Sequence, residues 1–277
     1  TCLVNNLKIA VLGTGSMGGA IVDGLLADGT TPAQISVTTR TENSAARWRT
    51  KQVNAIAGET ESKANSLAVA GAELVIVAVK PAYVVEVLTE VSDSLTPGAL
   101  VISVAAGITT AAMEKAVPDT VAVIRAMPNT PSVIKLGMTG IAAGSRASAD
   151  QLKVAEELFA KVGKTLVVDE SQIDALSTIS GSGPAYVFYF VEQLVEASKA
   201  LGFDDASAAL LVNETFRGAS EYLIASGREP GELRAQVTSP NGTTMRAIAE
   251  LEKLNLAAGF EVALNAALAR AKELGAS

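Results

Sequence analysis

Histidine is absent from the 277 residues, and cysteine occurs once, as Cys2. A chain without histidine has no Ser-His-Asp triad, no histidine general acid and no histidine metal ligand. A single cysteine cannot form an internal disulfide or a cysteine-rich zinc site, so we expect no metal and favour a reducing compartment. Any chemistry must therefore use a cofactor, carboxylates, hydroxyl groups, lysines or backbone amides.

Long apolar segments are also missing, although apolar residues make up 49% of the chain. The longest runs, such as residues 74–79, have the length of a strand and not the roughly 20 residues of a membrane helix. The formal net charge of −7 disfavours nonspecific binding to nucleic acid or to anionic membranes. No basic leader precedes the strand-like run at residues 7–12, and we expect a globular, cytoplasmic protein.

The first half of the chain alternates short apolar runs with segments of helical periodicity. Strands are predicted over residues 8–12, 35–39, 74–79, 100–104 and 121–126, and helices over residues 17–26, 62–70, 82–92 and 110–116. Continuous apolar strands that alternate with helices are typical of a parallel sheet covered on both faces. We therefore predict an α/β domain over residues 1–168, with a doubly wound sheet of the Rossmann type.

The second half changes character near Ser171 and is almost entirely helical in pattern. Helices are predicted over residues 183–201, from Asp204 or Asp205 to about Ala225, over residues 243–254 and over residues 256–274, with a turn at residues 227–231. Apolar residues on these helices include Val187, Phe190, Leu194, Leu210, Leu211, Leu223, Phe260, Leu264 and Leu268. Either one small bundle buries them or they form a dimer interface. We predict an all-helical domain over residues 169–277.

A glycine-rich loop follows the first predicted strand and opens the first predicted helix. Its sequence, Gly13-Thr14-Gly15-Ser16-Met17-Gly18, fits G-x-G-x-x-G in the strand-turn-helix context that this pattern requires. The first glycine permits a tight turn, the second lets the backbone approach a pyrophosphate, and the third lets helix and strand pack closely. The free amides at the helix start then face the phosphates, so the loop predicts a dinucleotide site.

The end of the second strand indicates which dinucleotide is bound. An NAD enzyme usually has Asp or Glu there to bind the ribose 2′-hydroxyl. This chain has Thr38-Thr39-Arg40 instead, and no carboxylate occurs between Asp28 and Glu42. Hydroxyl groups and a guanidinium suit a 2′-phosphate, which favours NADPH, with NADH as a weaker alternative.

Five further short motifs occur along the chain. They are AVKP at 78–81, VAAG at 104–107, RAMPNTP at 125–131, SGSGPAY at 180–186 and VTSPNGTT at 237–244. In this order and spacing they resemble the pyrroline-5-carboxylate reductase family over essentially the whole chain, and the last motif is the most diagnostic. The resemblance implies NADPH-dependent reduction of 1-pyrroline-5-carboxylate to L-proline, the last step of proline biosynthesis.

The resemblance also implies a set of cofactor-binding residues. It places the pyrophosphate on the glycine loop, the 2′-phosphate at the end of the second strand, and the nicotinamide beside the 127–129 loop. The residues concerned are Leu12, Gly13, Thr14, Gly15, Ser16, Met17, Thr39, Arg40, Asn65, Ala78, Val79, Lys80, Pro81, Val104, Ala105, Ala106 and Asn129. Gln236 stands where the family often has Asn at the cofactor.

Substrate residues follow from the same resemblance: Glu170, Val237, Thr243 and Thr244. The turn before Thr243 is rich in glycine and hydroxyl groups and leads into a helix, so its amides suit the substrate carboxylate. Thr244 is the predicted catalytic residue, its hydroxyl bonding the ring nitrogen of a protonated cyclic imine. The resemblance implies a site between the two domains and a homodimer, or a higher homo-oligomer, built by the helices.

Several of these residues also have purely structural interpretations. Glu170 could be a first-turn carboxylate favoured by the helix dipole. Ser182, with Gly183-Pro184, forms an ordinary helix start. Thr244 could be no more than a hydroxyl at a helix start.

Other functions explain less of the chain. A β-hydroxyacid dehydrogenase needs a lysine in G-x-x-x-K-x-x-N, and a short-chain dehydrogenase needs Tyr-x-x-x-Lys; neither pattern is present. A deazaflavin-linked NADP oxidoreductase shares the glycine loop but leaves the 237–244 motif unexplained. A non-catalytic NADPH-binding protein would need the loop and not that motif, and a structural helical oligomer would need neither.

Overall fold

The computed structural model describes residues 3–276, so Cys2 lies outside the described residues. The chain divides into two compact units. One comprises the residues up to Ser182 together with those from Ala267 onward, and the other is Gly183–Ala266. The predicted domain boundary at residues 168/169 follows the last strand, which ends at Val167, whereas the compact units part at Ser182.

The first unit is built on one sheet of eight strands. These are β1 (Ile9–Leu12), β2 (Ile35–Thr39), β3 (Asn54–Ala57), β4 (Leu74–Val77), β5 (Leu100–Ser103), β6 (Ala122–Met127), β7 (Gly137–Ala143) and β8 (Gly163–Val167). Their order is β3-β2-β1-β4-β5-β6-β7-β8, and every pair is parallel except β6 with β7. Strand order reverses at β1 and β4, as in a Rossmann-type sheet, so the predicted fold class is confirmed.

Helices cover both faces of this sheet. They are α1 (Ser16–Ala27), α2 (Glu42–Arg49), α3 (Ala64–Val69), α4 (Val84–Val91), α5 (Thr110–Glu114), α6 (Ala149–Ala160) and α7 (Glu170–Leu176). Alternate residues of one strand belong to different cores: Ile9 and Val11 pack with α1 and α6, whereas Ala10 and Leu12 pack with α3 and α4. Because both faces are buried, the central strands β1 and β4 are apolar at every position, which made them visible in the sequence.

Several elements were not predicted. They are β3, β7, β8, α2, α6 and a short helix at Pro230–Gln236. Strand β7 contains two glycines, which weaken a strand pattern. These glycines have packing reasons: a Cβ on Gly140 would lie 2.5 Å from the Leu176 side chain, and one on Gly137 would lie 2.1 Å from the Ser132 hydroxyl oxygen. Close packing thus requires glycine at these positions, and glycine lacks the apolar side chain by which a strand is recognised in a sequence.

The second unit is helical. Its helices are α8 (Gly183–Ala200), α9 (Asp205–Ser226), α10 (Pro230–Gln236), α11 (Thr243–Glu252) and the first part of α12 (Leu256–Ala276). Gly202, with φ +100°, follows α8, and Asp204 caps α9 by accepting the Ser207 amide at 2.7 Å. The hydrogen bonds from Ser207 lower the pKa of Asp204. The turn predicted at residues 227–231 is wrong in part, because Pro230 starts α10.

Apolar burial is sparse in this second unit. Its buried apolar residues, within the described chain, are Ala208 and Val212, and α8 has none. Helices α8 and α12 touch through the Phe190 and Phe260 rings, whose centroids lie 6.0 Å apart. Phe188 remains 66% exposed, so one copy of the chain does not bury its own apolar helix faces. Among the described residues, no helix is long and apolar enough to cross a membrane.

Candidate functional site

The glycine loop joins β1 to α1 in a tight crossing. Gly13 has φ +87°, a conformation that side chains disfavour. A Cβ on Gly18 would lie 2.1 Å from the Gly13 carbonyl oxygen, so the third glycine is required for the helix to pack on the turn. Around Gly15, in contrast, a Cβ would meet nothing within 4 Å. The open space lies at the second glycine, where the pattern places a pyrophosphate.

The start of α1 is arranged to receive an anion. Gly15 occupies the N-cap and has no side chain with which to satisfy the first helical amides. The next residues, Ser16 and Met17, present their N–H groups at the positive end of the helix dipole. The loop is also held by β2, because the Gly13 amide donates a hydrogen bond to the Thr38 hydroxyl at 3.1 Å.

A cavity of about 340 Å³ extends from this loop past the end of β2. Its lining includes the predicted residues Gly13, Thr39, Arg40, Asn65 and Val79. Thr38 of the Thr38-Thr39-Arg40 segment lines it as well, together with residues that the sequence did not single out, namely Gly58, Glu61, Ser62, Ala64 and Glu90. These come from the chain after β3 and from α3 and α4, and β3 had not been predicted. The residues predicted for the adenosine half thus line one cavity.

Side chains in this cavity differ in how they are held. Thr39 is buried and donates its hydroxyl to the Thr41 carbonyl at 2.9 Å. Asn65 donates its amide to Glu90 at 3.1 Å. Arg40 is exposed at the rim. A guanidinium at this point is placed to meet a phosphate group.

The ends of β4 and β5 continue the same edge of the sheet. The Ala78 amide donates to the Leu12 carbonyl at 2.8 Å, and the Val104 amide donates to the Val77 carbonyl at 3.1 Å. Ala105 is buried, whereas Ala106 and Lys80 are exposed. Pro81 begins a single 3₁₀ turn after β4. The predicted strand-end residues therefore lie side by side at the carboxyl edge, where open sheets bind ligands.

Asn129 has a structural use for its side chain. Its amide donates to the Ser180 carbonyl at 3.0 Å, and its oxygen accepts the Met138 amide at 2.8 Å. The loop after β6 is thereby fastened to β7 and to a π-helical turn at Ser177–Gly181, which follows α7. Such π turns are frequent at functional sites. The amide of Asn129 shapes the loop, and the predicted cofactor contact of this residue stays a prediction.

Glu170 is the first residue of α7, and three groups hold it. Its carboxylate accepts the Thr110 amide at 2.7 Å and the Thr110 hydroxyl at 2.6 Å. The Arg125 guanidinium lies 3.6 Å from the same carboxylate and 2.6 Å from Asp174. Sequence reasoning missed Thr110, Arg125 and Asp174. One signal was available, because Arg125 is a lone charge within a strand that is otherwise apolar or small.

The predicted substrate turn lies in the second unit. Val237 is exposed after α10, Asn241 has φ +59°, and Gly242 is the N-cap of α11. Thr243 and Thr244 are the first two residues of α11, a ten-residue helix. Their amides belong to the first turn and have no carbonyl partner within the helix. The turn and helix start thus have the features of an anion site, as the motif predicts.

The structure therefore brings the predicted cofactor residues together along one sheet edge of the first unit, with Glu170 in the same unit. Val237, Thr243 and Thr244 form a second group in Gly183–Ala266. A Rossmann-type sheet with this glycine loop defines a dinucleotide-binding protein.

Comparison with known proteins assigns the family. A model described as pyrroline-5-carboxylate reductase dimerisation matches residues 170–274, and one described as NADP oxidoreductase, coenzyme F420-dependent, matches residues 8–107. Pyrroline-5-carboxylate reductases of Corynebacterium melassecola and Pseudomonas aeruginosa are 41% and 39% identical to this chain. The first alignment covers 96% of this chain and 98% of the relative, and the second covers 96% of each. The chain belongs to the pyrroline-5-carboxylate reductase family, which confirms the resemblance.

Solved structures agree with this family. A pyrroline-5-carboxylate reductase from Coxiella burnetii is 39% identical with a TM-score of 0.90, covering 97% of this chain and 98% of that one. The Plasmodium falciparum pyrroline carboxylate reductase, solved with NADP bound, is 24% identical with a TM-score of 0.84, covering 98% and 99%. The second likeness concerns the fold alone.

Two glycines of the loop give a paired prediction. Gly18→Ala should lower the free energy of unfolding by about 1–3 kcal/mol, because its Cβ collides with the Gly13 carbonyl. Gly15→Ala should leave stability within about 0.5 kcal/mol of wild type, yet weaken NADPH binding about tenfold or more by filling the pyrophosphate space. Urea unfolding and NADPH fluorescence titration measure the two effects. Wild-type NADPH affinity in Gly15→Ala would contradict the assignment.

Proposed function

We propose that this chain reduces 1-pyrroline-5-carboxylate to L-proline with NADPH, the last step of proline biosynthesis, and that it does so in the cytoplasm. The observation that carries the proposal is the VTSPNGTT turn at the start of α11, in a chain that is 41% identical to a pyrroline-5-carboxylate reductase over nearly its full length. The test is NADPH oxidation with pyrroline-5-carboxylate as substrate, repeated with NADH.

The preference for NADPH rests on the end of β2. Thr39 is buried there, Arg40 is exposed at the rim of the adenosine cavity, and Ser62 also lines it. No carboxylate occupies the strand-end position that binds a 2′-hydroxyl in NAD enzymes. Two carboxylates do line the cavity, but Glu90 already accepts a hydrogen bond from Asn65. Arg40 thus supplies a charge suited to a 2′-phosphate.

The chain's own residues would act mainly by binding and charge placement. The amides of Thr243 and Thr244, at the positive end of α11, bind the substrate carboxylate. The Thr244 hydroxyl bonds the ring nitrogen and keeps the imine protonated. Glu170 and Asp174 outnumber Arg125, so their cluster has one negative charge in excess, which suits a cationic imine. When bound, NADPH supplies the hydride, and no histidine is needed.

Arg40 provides a test of the cofactor choice. Arg40→Ala should raise the KM for NADPH about 10-fold to 100-fold, the range expected when a charge-assisted hydrogen bond to a phosphate is lost. NADH lacks that phosphate, so its KM should stay within about twofold and serves as the internal control. Steady-state kinetics with each cofactor measure the two KM values. An equal rise for NADH would assign Arg40 to another part of the cofactor.

Thr244 provides a test of the chemistry. Thr244→Val keeps the side-chain shape and removes the hydroxyl, so turnover of pyrroline-5-carboxylate should fall about 10²-fold or more while NADPH affinity is unchanged. Thr244→Ser restores the hydroxyl and should recover most of the turnover. Unchanged turnover in Thr244→Val would overturn the role. A protein that binds NADPH but neither turns over this substrate nor binds proline would instead be a non-catalytic NADPH-binding protein.

We also propose that the helical unit forms a homodimer. Residues 170–274 match the dimerisation model of the family, and α8 buries none of its residues in one copy of the chain. Exposed aromatic and aliphatic groups on helices are covered in soluble proteins by a partner. A second copy supplies the same apolar surface.

Phe188 tests the dimer, because it is exposed in the single chain. Phe188→Asp should leave the helical content by circular dichroism unchanged, since the residue supports no core within one copy. It should raise the dimer dissociation constant about tenfold or more, through loss of a buried aromatic and burial of a charge. Light scattering over a concentration series measures this. An unchanged mass at every concentration would place Phe188 outside the interface.

A further inference from the structure

The buried guanidinium of Arg125 is not explained by cofactor binding or by core packing. Arg125 is 3% exposed, and its Nε has no hydrogen-bond partner within the described residues. A buried charge pays a large desolvation penalty, and a buried ion pair often stabilises a fold no better than apolar side chains would. Fold stability alone therefore gives little reason for an arginine within β6.

The geometry around Arg125 suggests what it holds. Its two terminal nitrogens point to two carboxylates four residues apart on α7: Nη2 lies 2.6 Å from Asp174, and Nη1 lies 3.6 Å from Glu170. The planar guanidinium can address two acceptors in fixed directions, which an ammonium cannot. Arg125 thus fixes the first turn of α7 against the end of β6.

Thr110 fixes the same carboxylate from the other side. Its amide and its hydroxyl each donate to a different oxygen of Glu170, at 2.7 and 2.6 Å. Thr110 is buried and follows the 104–107 loop, whose first three residues are predicted cofactor contacts. With both oxygens bound, the carboxylate has one orientation, and its side chain is still 28% exposed.

We infer that Arg125 and Thr110 are positioning residues, which hold the Glu170 carboxylate in a fixed orientation toward the substrate's positively charged ring nitrogen. This inference rests on the proposed function. A fixed carboxylate stabilises a cationic imine without having to reorganise during the reaction. A free glutamate at the start of a helix would instead sample several rotamers and lose that advantage.

Adjacent threonines provide a matched pair of variants. Thr110→Val removes a hydroxyl that bonds Glu170, whereas Thr109→Val removes the N-cap hydroxyl of α5, which accepts the Ala112 amide at 3.2 Å. Both variants remove one hydroxyl at the start of α5, but only Thr110→Val removes a hydrogen bond to the Glu170 carboxylate. We expect kcat/KM for pyrroline-5-carboxylate to fall about tenfold in Thr110→Val and less than about twofold in Thr109→Val, since hydrogen bonds to a charged group are strong.

Further measurements separate positioning from stability. The NADPH dissociation constant should stay within about twofold of wild type in both variants, and Thr110→Ser should restore kcat/KM. In a Glu170→Gln background, Thr110→Val should have little further effect, because the residues act as one unit. Arg125→Lys should lower kcat/KM as Thr110→Val does, with NADPH affinity retained.

Two outcomes would overturn the inference and differ from each other. If wild type oxidises NADPH with pyrroline-5-carboxylate, yet Thr110→Val and Thr109→Val lower kcat/KM equally, the positioning role is wrong and the proposed function stands. If Thr110→Val also weakens NADPH binding, the hydrogen bonds between Thr110 and Glu170 serve to hold the cofactor loop. The positioning role toward the substrate would then be wrong as well. If wild type shows no turnover, the proposed function and the inference fall together.

Discussion

The contact between Gly18 and the Gly13 carbonyl is the constraint on which the cofactor edge depends. It brings α1 so close to the end of β1 that no side chain fits between them. This approach directs the first helical amides over the carboxyl edge of the sheet. Because β1, β2, β4 and β5 are parallel, they all end at that edge. The residues that follow each strand are therefore neighbours in space. One close contact and one sheet direction thus gather residues that are up to about ninety positions apart.

That dependence explains why the cofactor site was largely predictable. The strands that carry it are buried on both faces, and their largely apolar sequences gave β1, β2, β4, β5 and β6 within one or two residues at each end. Elements lacking such runs were missed. Strand β3, Asn-Ala-Ile-Ala, has little β propensity, and β7 lost side chains to close packing at its glycines. Part of the adenosine cavity was missed with β3, because Gly58, Glu61 and Ser62 follow it.

The cluster around Glu170 was unpredictable for a different reason. Thr110 and Glu170 are 60 positions apart, and Arg125 and Asp174 are 49 apart. No periodicity relates them, because their contacts arise from the order of β5 and β6 in the sheet and from the placement of α7. Family resemblance pointed to Glu170 alone, since Thr110 and Asp174 lie outside the short motifs and Arg125, which opens the 125–131 motif, had no predicted role. What a sequence can show in such a case is the anomaly, a charged side chain within an otherwise apolar strand.

The absence of histidine is consistent with this arrangement. A neutral carbonyl substrate needs a proton donor whose pKa lies near the working pH, which is the usual task of histidine. A cyclic imine that is already protonated needs only an environment that tolerates its charge. The two carboxylates of α7 exceed the single guanidinium by one negative charge. A fixed negative charge can therefore do for a cationic imine what a titrating side chain does for a carbonyl.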